Sequence, residues 1–486
     1  MNVFDYLFET SKNLDKDFLL GSKETASFKK LYNDSLSLAS YLRNSVGEGQ
    51  NVLLISSNSA FFITAYLGIL KSGNTCVPID FSIEQSNLDY IIDTIESQTI
   101  FVDKLAQRKL EFNSEINLID ENKKSQLINN KINKTITSTI SLNTIAEIIF
   151  TSGSTGKPKG VMISHHNIIS NTNSIIEYLK LSSKDIMAVV LPFYYCYGLS
   201  LLHTHLKVGG SIVINNNFMF LGTVINDLKN YNCTGFAGVP SHFQILLKKS
   251  QSFKTEAFPS LRYATQAGGK LHSVFIDEFT TTLPTKELFI MYGQTEATAR
   301  LTYLPPEFIK TKISSIGKAI PNVELKIINK NGEITKINEE GELLARGENI
   351  MLGYYKDETA TNLAIKNGWL HTGDLARIDD DGFIYIVARK KEIIKAGGKR
   401  ISPKEIEEVI LSIPEVIDCT ISGYEDDLLG EAIQAIITLN TSINENEIKE
   451  YILKKCAKNL AFYKIPQRII FEKTIQMSAT GKKKIN

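Results

Sequence analysis

The chain has 486 residues, 43% hydrophobic and 22% charged, too many for one ordinary core and balanced like a soluble globular protein of two or more domains. Its formal net charge of +1 gives no bulk attraction to nucleic acid or to an acidic membrane surface. The five cysteines, Cys76, Cys196, Cys233, Cys419 and Cys456, are dispersed without CxxC spacing. That argues against a disulfide framework or a zinc site and fits reduced thiols in a cytoplasmic protein.

The N-terminal stretch MNVFDYLFETSKNLDKDF carries Asp5 and Glu9 and lacks the basic-then-apolar order of a signal peptide. Residues 28–46 place Phe28, Leu31, Leu38, Ala39 and Leu42 at helical spacing. NVLLIS at 51–56 reads as a buried strand, a second helix ends near Gly73, and TCVPID follows as a strand with a turn. This alternation predicts an α/β layer with mostly parallel pairing. The pattern returns with the strand TIAEIIF (144–150), a glycine-rich run, and a helix over 164–181 with Ser164 as its N-cap. The most membrane-like run, residues 186–202, is broken by Pro192 and Gly198 and falls short of a span, so it reads as buried core beside a pocket.

From about residue 313 the texture changes to a smaller antiparallel β module. VELKIINKNGEITKI predicts a hairpin around Asn331-Gly332, and FIYIVARK follows the turn DDDG. Beyond Arg389 a compact α+β tail follows, with helices in SPKEIEEVILSI and NENEIKEYILKKCAKNL and a last strand near 468–472. The expected architecture is α/β: a large N-terminal domain (1–387) of two α/β layers plus the β module (about 313–387), then a small mobile α+β domain (388–486). The basic, glycine-containing ARKKEIIKAGGKR between them suits a hinge.

The glycine-rich run is TSGSTGKPKG, Thr151 to Gly160. Glycines let successive backbone N–H groups converge on phosphate oxygens, and hydroxyls and lysines add donors and charge. A position between a strand and a helix is one where α/β sheets bind ligands. A Walker A loop is excluded: Gly153 precedes Gly156 by three residues instead of five, and Pro158 replaces the required hydroxyl. A plain surface loop remains the alternative on composition alone.

TSGSTGKPKGV resembles the phosphate loop of the adenylate-forming superfamily, which comprises acyl-CoA synthetases, peptide-synthetase adenylation domains and luciferases. Four further stretches occur in the family's order: YGQTEAT from Tyr292, WLHTGDLAR from Trp369, ARKKEIIKAGGKRISPKEIE from Ala388 and SATGKKK from Ser478. The likeness covers essentially the whole chain and is greatest to AMP-forming acyl-CoA synthetases. It implies that a carboxylic acid and ATP give acyl-AMP and pyrophosphate, after which a thiol, that of CoA or of carrier-bound phosphopantetheine, takes the acyl group.

On that resemblance Thr151, Ser152, Gly153, Ser154, Thr155, Gly156 and Lys159 would hold the β- and γ-phosphates, with Lys157 at a more variable place. Thr295 would donate to the α-phosphate, and Glu296 would bind Mg2+, a hard cation that takes oxygen ligands. Read alone, Thr295 and Glu296 also suit the start of a helix EATARL. Gly268 and Gly269 of QAGGKLH, with Tyr292 and Gly293, would border adenine. Asp374 would accept from the ribose hydroxyls, or serve only as a turn aspartate, and Arg389 would approach ribose or phosphate. Lys482 would carry adenylation by offsetting the repulsion between two anions; seen bare, GKKKIN is a solvated basic tail. Lys391 would be the hinge of a domain rotation, after which Gly397 and Gly398 would line a pantetheine tunnel.

The family's usual histidine in LPFYYCYGL is Tyr195 here. Tyr195, His242 and Arg300 are assigned to the acyl pocket, with Arg300 either meeting a polar group on the substrate or serving as a structural partner. CTGFAGVPS has no aspartate to pair with an α-amine, which disfavours amino acids. Lys399 and Arg400 are candidates for a CoA 3′-phosphate. An acyl carrier protein with an acidic helix, or an amine acceptor, is the second reading, and a nucleotide sensor without turnover the third.

Overall fold

The computed structural model describes residues 2–129, 140–151, 157–396, 398–426, 430–440 and 444–475. Among these, four sheets organise the chain. The first runs in the order Gly353–Tyr354, Lys159–Ser164, Ile145–Thr151, Thr75–Ile79, Asn51–Ile55, Thr99–Val102, Asn117–Ile119. Its middle strands are parallel, and Val52, Leu53, Leu54 and Ile55 are all buried. A strand covered on both faces has no solvent side, which is why NVLLI shows no alternation.

Helix Phe28–Ser45 starts at Ser27, whose side chain accepts from Lys30 N. It lies against helix Ala60–Ser72, where a Cβ on Gly68 would come within 2.9 Å of Leu38 Cβ, so glycine sets how closely the two helices approach. The second helix ends on Gly73 in the left-handed region at φ 85°.

A second sheet runs Lys318–Ala319, Thr302–Leu304, Glu287–Tyr292, Tyr263–Gln266, Gly235–Gly238, Ile186–Val189, Ser211–Ile214, Asp17–Leu20, Ala26–Ser27. The apolar run at 186–202 divides into the strand Ile186–Val189 and the start of helix Cys196–Val208, both largely buried. Among the described residues no helix is long and apolar enough to cross a membrane.

Two local expectations fail. The glycine-rich run does not pass straight into a helix: Lys159–Ser164 is a strand antiparallel to Ile145–Thr151, with Thr151 opposite Lys159. The run therefore joins two paired antiparallel strands. Helix His165–Leu179 begins only after it, with Ser164 and Asn167 forming a reciprocal cap. In the β module Asn331-Gly332 does turn the chain, with Gly332 at φ 85°. The return arm, however, makes only a bridge between Ile328 and Ile334. Strand Val323–Ile328 pairs with Gly341–Gly347, which is antiparallel to Trp369–Ile378 and through it to Ile384–Arg389. Ile334 is 74% exposed, so nothing covers a face that would hold that arm in a sheet.

The fourth sheet joins Lys399–Ile401, Ile394–Ala396, Gly430–Leu439 and Val416–Asp426, with Arg468–Glu472 parallel to Gly430–Leu439. Helices Pro403–Leu411 and Glu445–Asn459 cover it. Its apolar core is continuous with that around helix Pro240–Lys249 of the preceding part, which packs against strand Val416–Asp426.

Candidate active site

The site lies where strand ends from the two large sheets meet the β module. Three segments are tied together by backbone: Met351 N donates to Glu296 O at 2.9 Å, Leu352 N to Met162 O at 2.9 Å, and Tyr355 N to Gly160 O at 2.7 Å. The stretch 351–357 thus clamps the Glu296 turn to the base of the glycine-rich hairpin. Gly160 is required there, because a Cβ would come within 2.7 Å of Ile148 Cγ2.

Lys159 points along this clamp. Its Nζ lies 3.5 Å from Asp357 Oδ2 and 5.2 Å from the Tyr354 ring centre. Lys157 lies over Tyr90, 5.1 Å from its ring centre. Residues 152–156 and Lys482 lie outside the described residues, as does Gly397.

Thr295 and Glu296 begin no helix. They form a single 3-10 turn, Thr295–Ala297, ended by Thr298 at φ 64°. The turn is held from both sides: Thr298 Oγ1 donates to Asn349 O, and a Cβ on Gly293 would sit 2.0 Å from Ala299 O. Thr295 is buried, 3.6 Å from Cys196 Sγ. Glu296 Oε1 accepts from the Tyr354 hydroxyl at 2.8 Å. Burial and then the Glu296 charge push the Tyr354 hydroxyl well above its ordinary pKa, so it is a fixed donor. A partly exposed carboxylate with one oxygen already oriented suits an oxygen-seeking cation.

On the other side, Asp374 is almost fully buried and takes two partners: Tyr292 Oη donates to Oδ2 at 2.6 Å, and Arg389 Nε lies 3.2 Å from Oδ1. Burial raises its carboxyl above the usual range, against the pull of Arg389 and the Tyr292 bond. Register explains the pairing, since Asp374 and Arg389 are directly opposite on adjacent antiparallel strands. Gly268, at φ 85°, and Gly269 follow strand Tyr263–Gln266. Gln266 Oε1 and Gln294 Nε2 are buried and make no hydrogen bond. Two orphaned polar atoms at adjacent strand ends fit a polar ligand such as a nucleotide better than an apolar one.

The acyl-pocket candidates behave differently from one another. Tyr195 is half-buried at the N-cap of helix Cys196–Val208. His242 is buried against Phe218, with ring centres 4.2 Å apart, and its Nδ1 accepts from Val239 N. Burial pushes its pKa down to about 3, so the ring is neutral and Nε2 carries the proton as a donor. Arg300 turns inward. Its guanidinium sits 4.0 Å from the Tyr197 ring centre, with Nε to Met291 Sδ at 3.3 Å and one terminal nitrogen donating to Ala299 O. That is a cation held by an aromatic face inside the core, which supports its structural reading.

Tyr354, Asp357, Gln266 and Gln294 were not singled out from sequence. GYYKDE has no distinctive spacing, and only the pairing of Gly353–Tyr354 with Val161–Met162 brings it to the site. Lys391 and Gly398 lie on the exposed side of the connection to the last sheet, and a Cβ on Gly398 would meet nothing within 4 Å.

Two family models match the chain, the AMP-binding enzyme over residues 9–355 and the AMP-binding enzyme C-terminal domain over residues 405–482. A Bacillus subtilis (strain 168) protein named as an acyl-CoA synthetase, YngI, is 31% identical over 91% of this chain and 87% of its own. The 2-succinylbenzoate–CoA ligase of the same organism is 27% identical over 96% and 93%. A solved structure of O-succinylbenzoate coenzyme A synthetase from Bacillus subtilis, in complex with ATP and magnesium, superposes with a TM-score of 0.86 at 26% identity, covering 99% of this chain and 98% of that one.

Proposed function

The chain belongs to the AMP-binding enzyme family and is an AMP-forming acid–thiol ligase; we propose that the two groups of residues described above carry its first half-reaction. In that step a carboxylate oxygen attacks the α-phosphorus of ATP and pyrophosphate leaves. In the second step the CoA sulfur attacks the acyl carbon, the thiol loses its proton, and AMP leaves with the bonding electron pair.

The observation that carries the assignment is the pairing of Tyr292, Asp374 and Arg389 on one side with Lys159, Tyr354 and Glu296 on the other. Asp374 has lone pairs left for ribose hydroxyls, and its existing partners fix their direction. Gly268 and Gly269 let backbone approach the base beside the unpartnered Gln266 Oε1 and Gln294 Nε2. Lys159 supplies charge toward the pyrophosphate end and Thr295 a hydroxyl donor. Mg2+, held by Glu296, would neutralise phosphate charge. Lys482, assigned by family resemblance, places a cation between the approaching anions, and such preorganised charge is the main device available for this chemistry.

Tyr195 and His242 are assigned to the acyl pocket. A neutral His242 that donates from Nε2 favours an acid bearing an acceptor, and it does not demand a second carboxylate. Arg300 is left to the core. For the second step, Lys399 and Arg400 are exposed on the hairpin after Lys391, with Lys399 Nζ 5.9 Å from the Tyr463 ring centre. Clustered cations beside an aromatic ring favour CoA as the acceptor over an amine, and a phosphopantetheine-loaded acyl carrier protein is the second candidate. Buried free cysteines and the use of ATP and CoA favour a reducing, cytoplasmic setting.

The test is acid-dependent ATP–pyrophosphate exchange over a panel that includes 2-succinylbenzoate, oxalate, 4-coumarate and straight-chain fatty acids. CoA or a loaded carrier protein is then added. Exchange with at least one acid, and a thioester formed with CoA, is the expected result. Absence of exchange across the panel, with ATP bound normally, would sink the assignment.

A further inference from the structure

Helix Ser273–Thr282 has no cap of its own, since the side chain of its N-cap residue His272 makes no capping bond. The missing acceptor comes from the last domain. Glu408, on helix Pro403–Leu411, accepts from Ser273 N at 2.9 Å and from the Ser273 hydroxyl through the same oxygen. Its other oxygen lies 2.9 Å from His272 Nδ1 and 2.8 Å from Lys270 Nζ. The neighbouring Glu407 lies 3.3 Å from His272 Nε2, while also holding Lys404 and accepting from Ile421 N within its own domain.

His272 and Glu407 are each only 2% exposed. Both imidazole nitrogens face carboxylates of the last domain. Burial opposes ionisation of Glu408, yet His272 and Lys270 hold its carboxyl well below the usual range. A helix N-terminus, a lysine and a histidine thus form one cationic notch, filled by two carboxylates from the other domain. The notch continues directly from Gly268 and Gly269, and Gly269 O is fixed by Gln266 Nε2 at 2.9 Å. In the same arrangement the Gly398 turn, with Lys399 and Arg400, stands exposed in open space.

We propose that Glu408 and Glu407, seated against Lys270, His272 and Ser273, form a charged catch that holds the last domain in the arrangement keeping the Gly398 turn away from the nucleotide site. Glu408 is a positioning residue: it touches no substrate, and its contact has to break before that turn can reach the site. The inference rests on the two-step reading above and on the domain rotation about Lys391 that the family resemblance implies. It adds the specific contact that sets the resting place and links it to the Gly268-Gly269 loop of the proposed nucleotide site.

The test reads domain position directly. The five native cysteines are buried, so spin labels are placed at Lys399→Cys and Thr255→Cys, both exposed positions on the two sides, and the distance distribution is measured on the full chain without ligands. The parent is expected to show one dominant distance. Glu408→Gln, and independently Lys270→Met from the opposite side, should each raise the ratio of a second, displaced population by about 10-fold or more, the effect of losing a charge-assisted contact. Unchanged distributions in both variants, with melting temperatures near the parent, would overturn the catch. Because the readout needs no acid, a displaced population without pyrophosphate exchange would refute the proposed reaction and leave the catch standing. Exchange with unmoved distances would do the reverse.

Discussion

Tyr292 donates its hydroxyl to Asp374 at 2.6 Å from a strand in one sheet to a strand in another. The bond ties the second sheet to the β module at the proposed nucleotide site, and burial followed by the Asp374 charge keeps the phenol protonated far above its ordinary range. Asp374→Asn keeps the shape but replaces an acceptor oxygen with an N–H aimed at Tyr292 or at ribose. Its AMP affinity, measured by calorimetry, should fall by ~10-fold to ~100-fold, the cost of a lost hydrogen bond to a charged group. Tyr292→Phe, which leaves the carboxylate in place, should lose only a few-fold.

Glu296 is oriented by Tyr354. Glu296→Gln should leave ATP binding within a few-fold while lowering pyrophosphate exchange by ~100-fold or more, as expected for a group acting on developing charge. The Mg2+ concentration needed for half-maximal exchange should rise as well. Tyr354→Phe should shift that Mg2+ dependence to a smaller degree, since it removes the orienting donor and keeps the ligand.

Lys482 and Lys159 should separate by half-reaction. Lys482→Ala is expected to abolish exchange while thiolysis of supplied acyl-AMP stays largely intact, because only the first step joins two anions. Lys159→Ala should raise the KM for ATP and leave AMP binding unchanged. Exchange at the parental rate in Lys482→Ala would overturn the role of that lysine.

Glu147 lies on the strand leading into the hairpin. It is buried and accepts from Tyr66 Oη at 2.9 Å, and Tyr66 Oη in turn lies 2.7 Å from His203 Nε2. Burial raises the Glu147 pKa from 4.5 to about 7 and pushes His203 down to about 3, so at mildly acidic pH both are neutral. At Glu147 the folded chain then holds a proton that the unfolded chain has released. The stabilisation is full below about 4.5 and is lost as pH rises through about 7. Glu147→Gln keeps the acceptor and removes the titration. Its melting temperature relative to the parent should therefore rise between pH 5 and pH 8, by the equivalent of about 3 kcal/mol at most. A flat difference across that range would contradict the assignment.

Much of the frame was legible because it follows from local chemistry. Ser164 caps the helix that follows it, as its position before that helix implied, and buried runs such as NVLLI became central strands. The ordered motifs fixed the family, because five stretches in sequence are far more specific than any one. Composition failed around the glycine-rich run, where two paired strands joined by polar residues look like strand, loop and helix. Nothing within six residues signals that Lys159–Ser164 pairs backward onto Ile145–Thr151. The ITKI arm failed for the opposite reason: its turn chemistry was right, but no covering face made a strand worth forming.

What the sequence by itself determined is the chemistry available: which residues carry charge, hydroxyl or flexible backbone, and in what order. Only the tertiary structure decided which of them meet. Arg300 reads as either a substrate contact or a structural partner until the Tyr197 ring is found to hold it, and Tyr354 reads as nothing until it reaches Glu296. Glu408 is one more helical carboxylate until it caps a helix more than a hundred residues earlier in the chain. The physical reason is range. Caps, turns and strand patterns are settled within a few residues, whereas burial, pKa and partnership depend on neighbours that folding alone supplies.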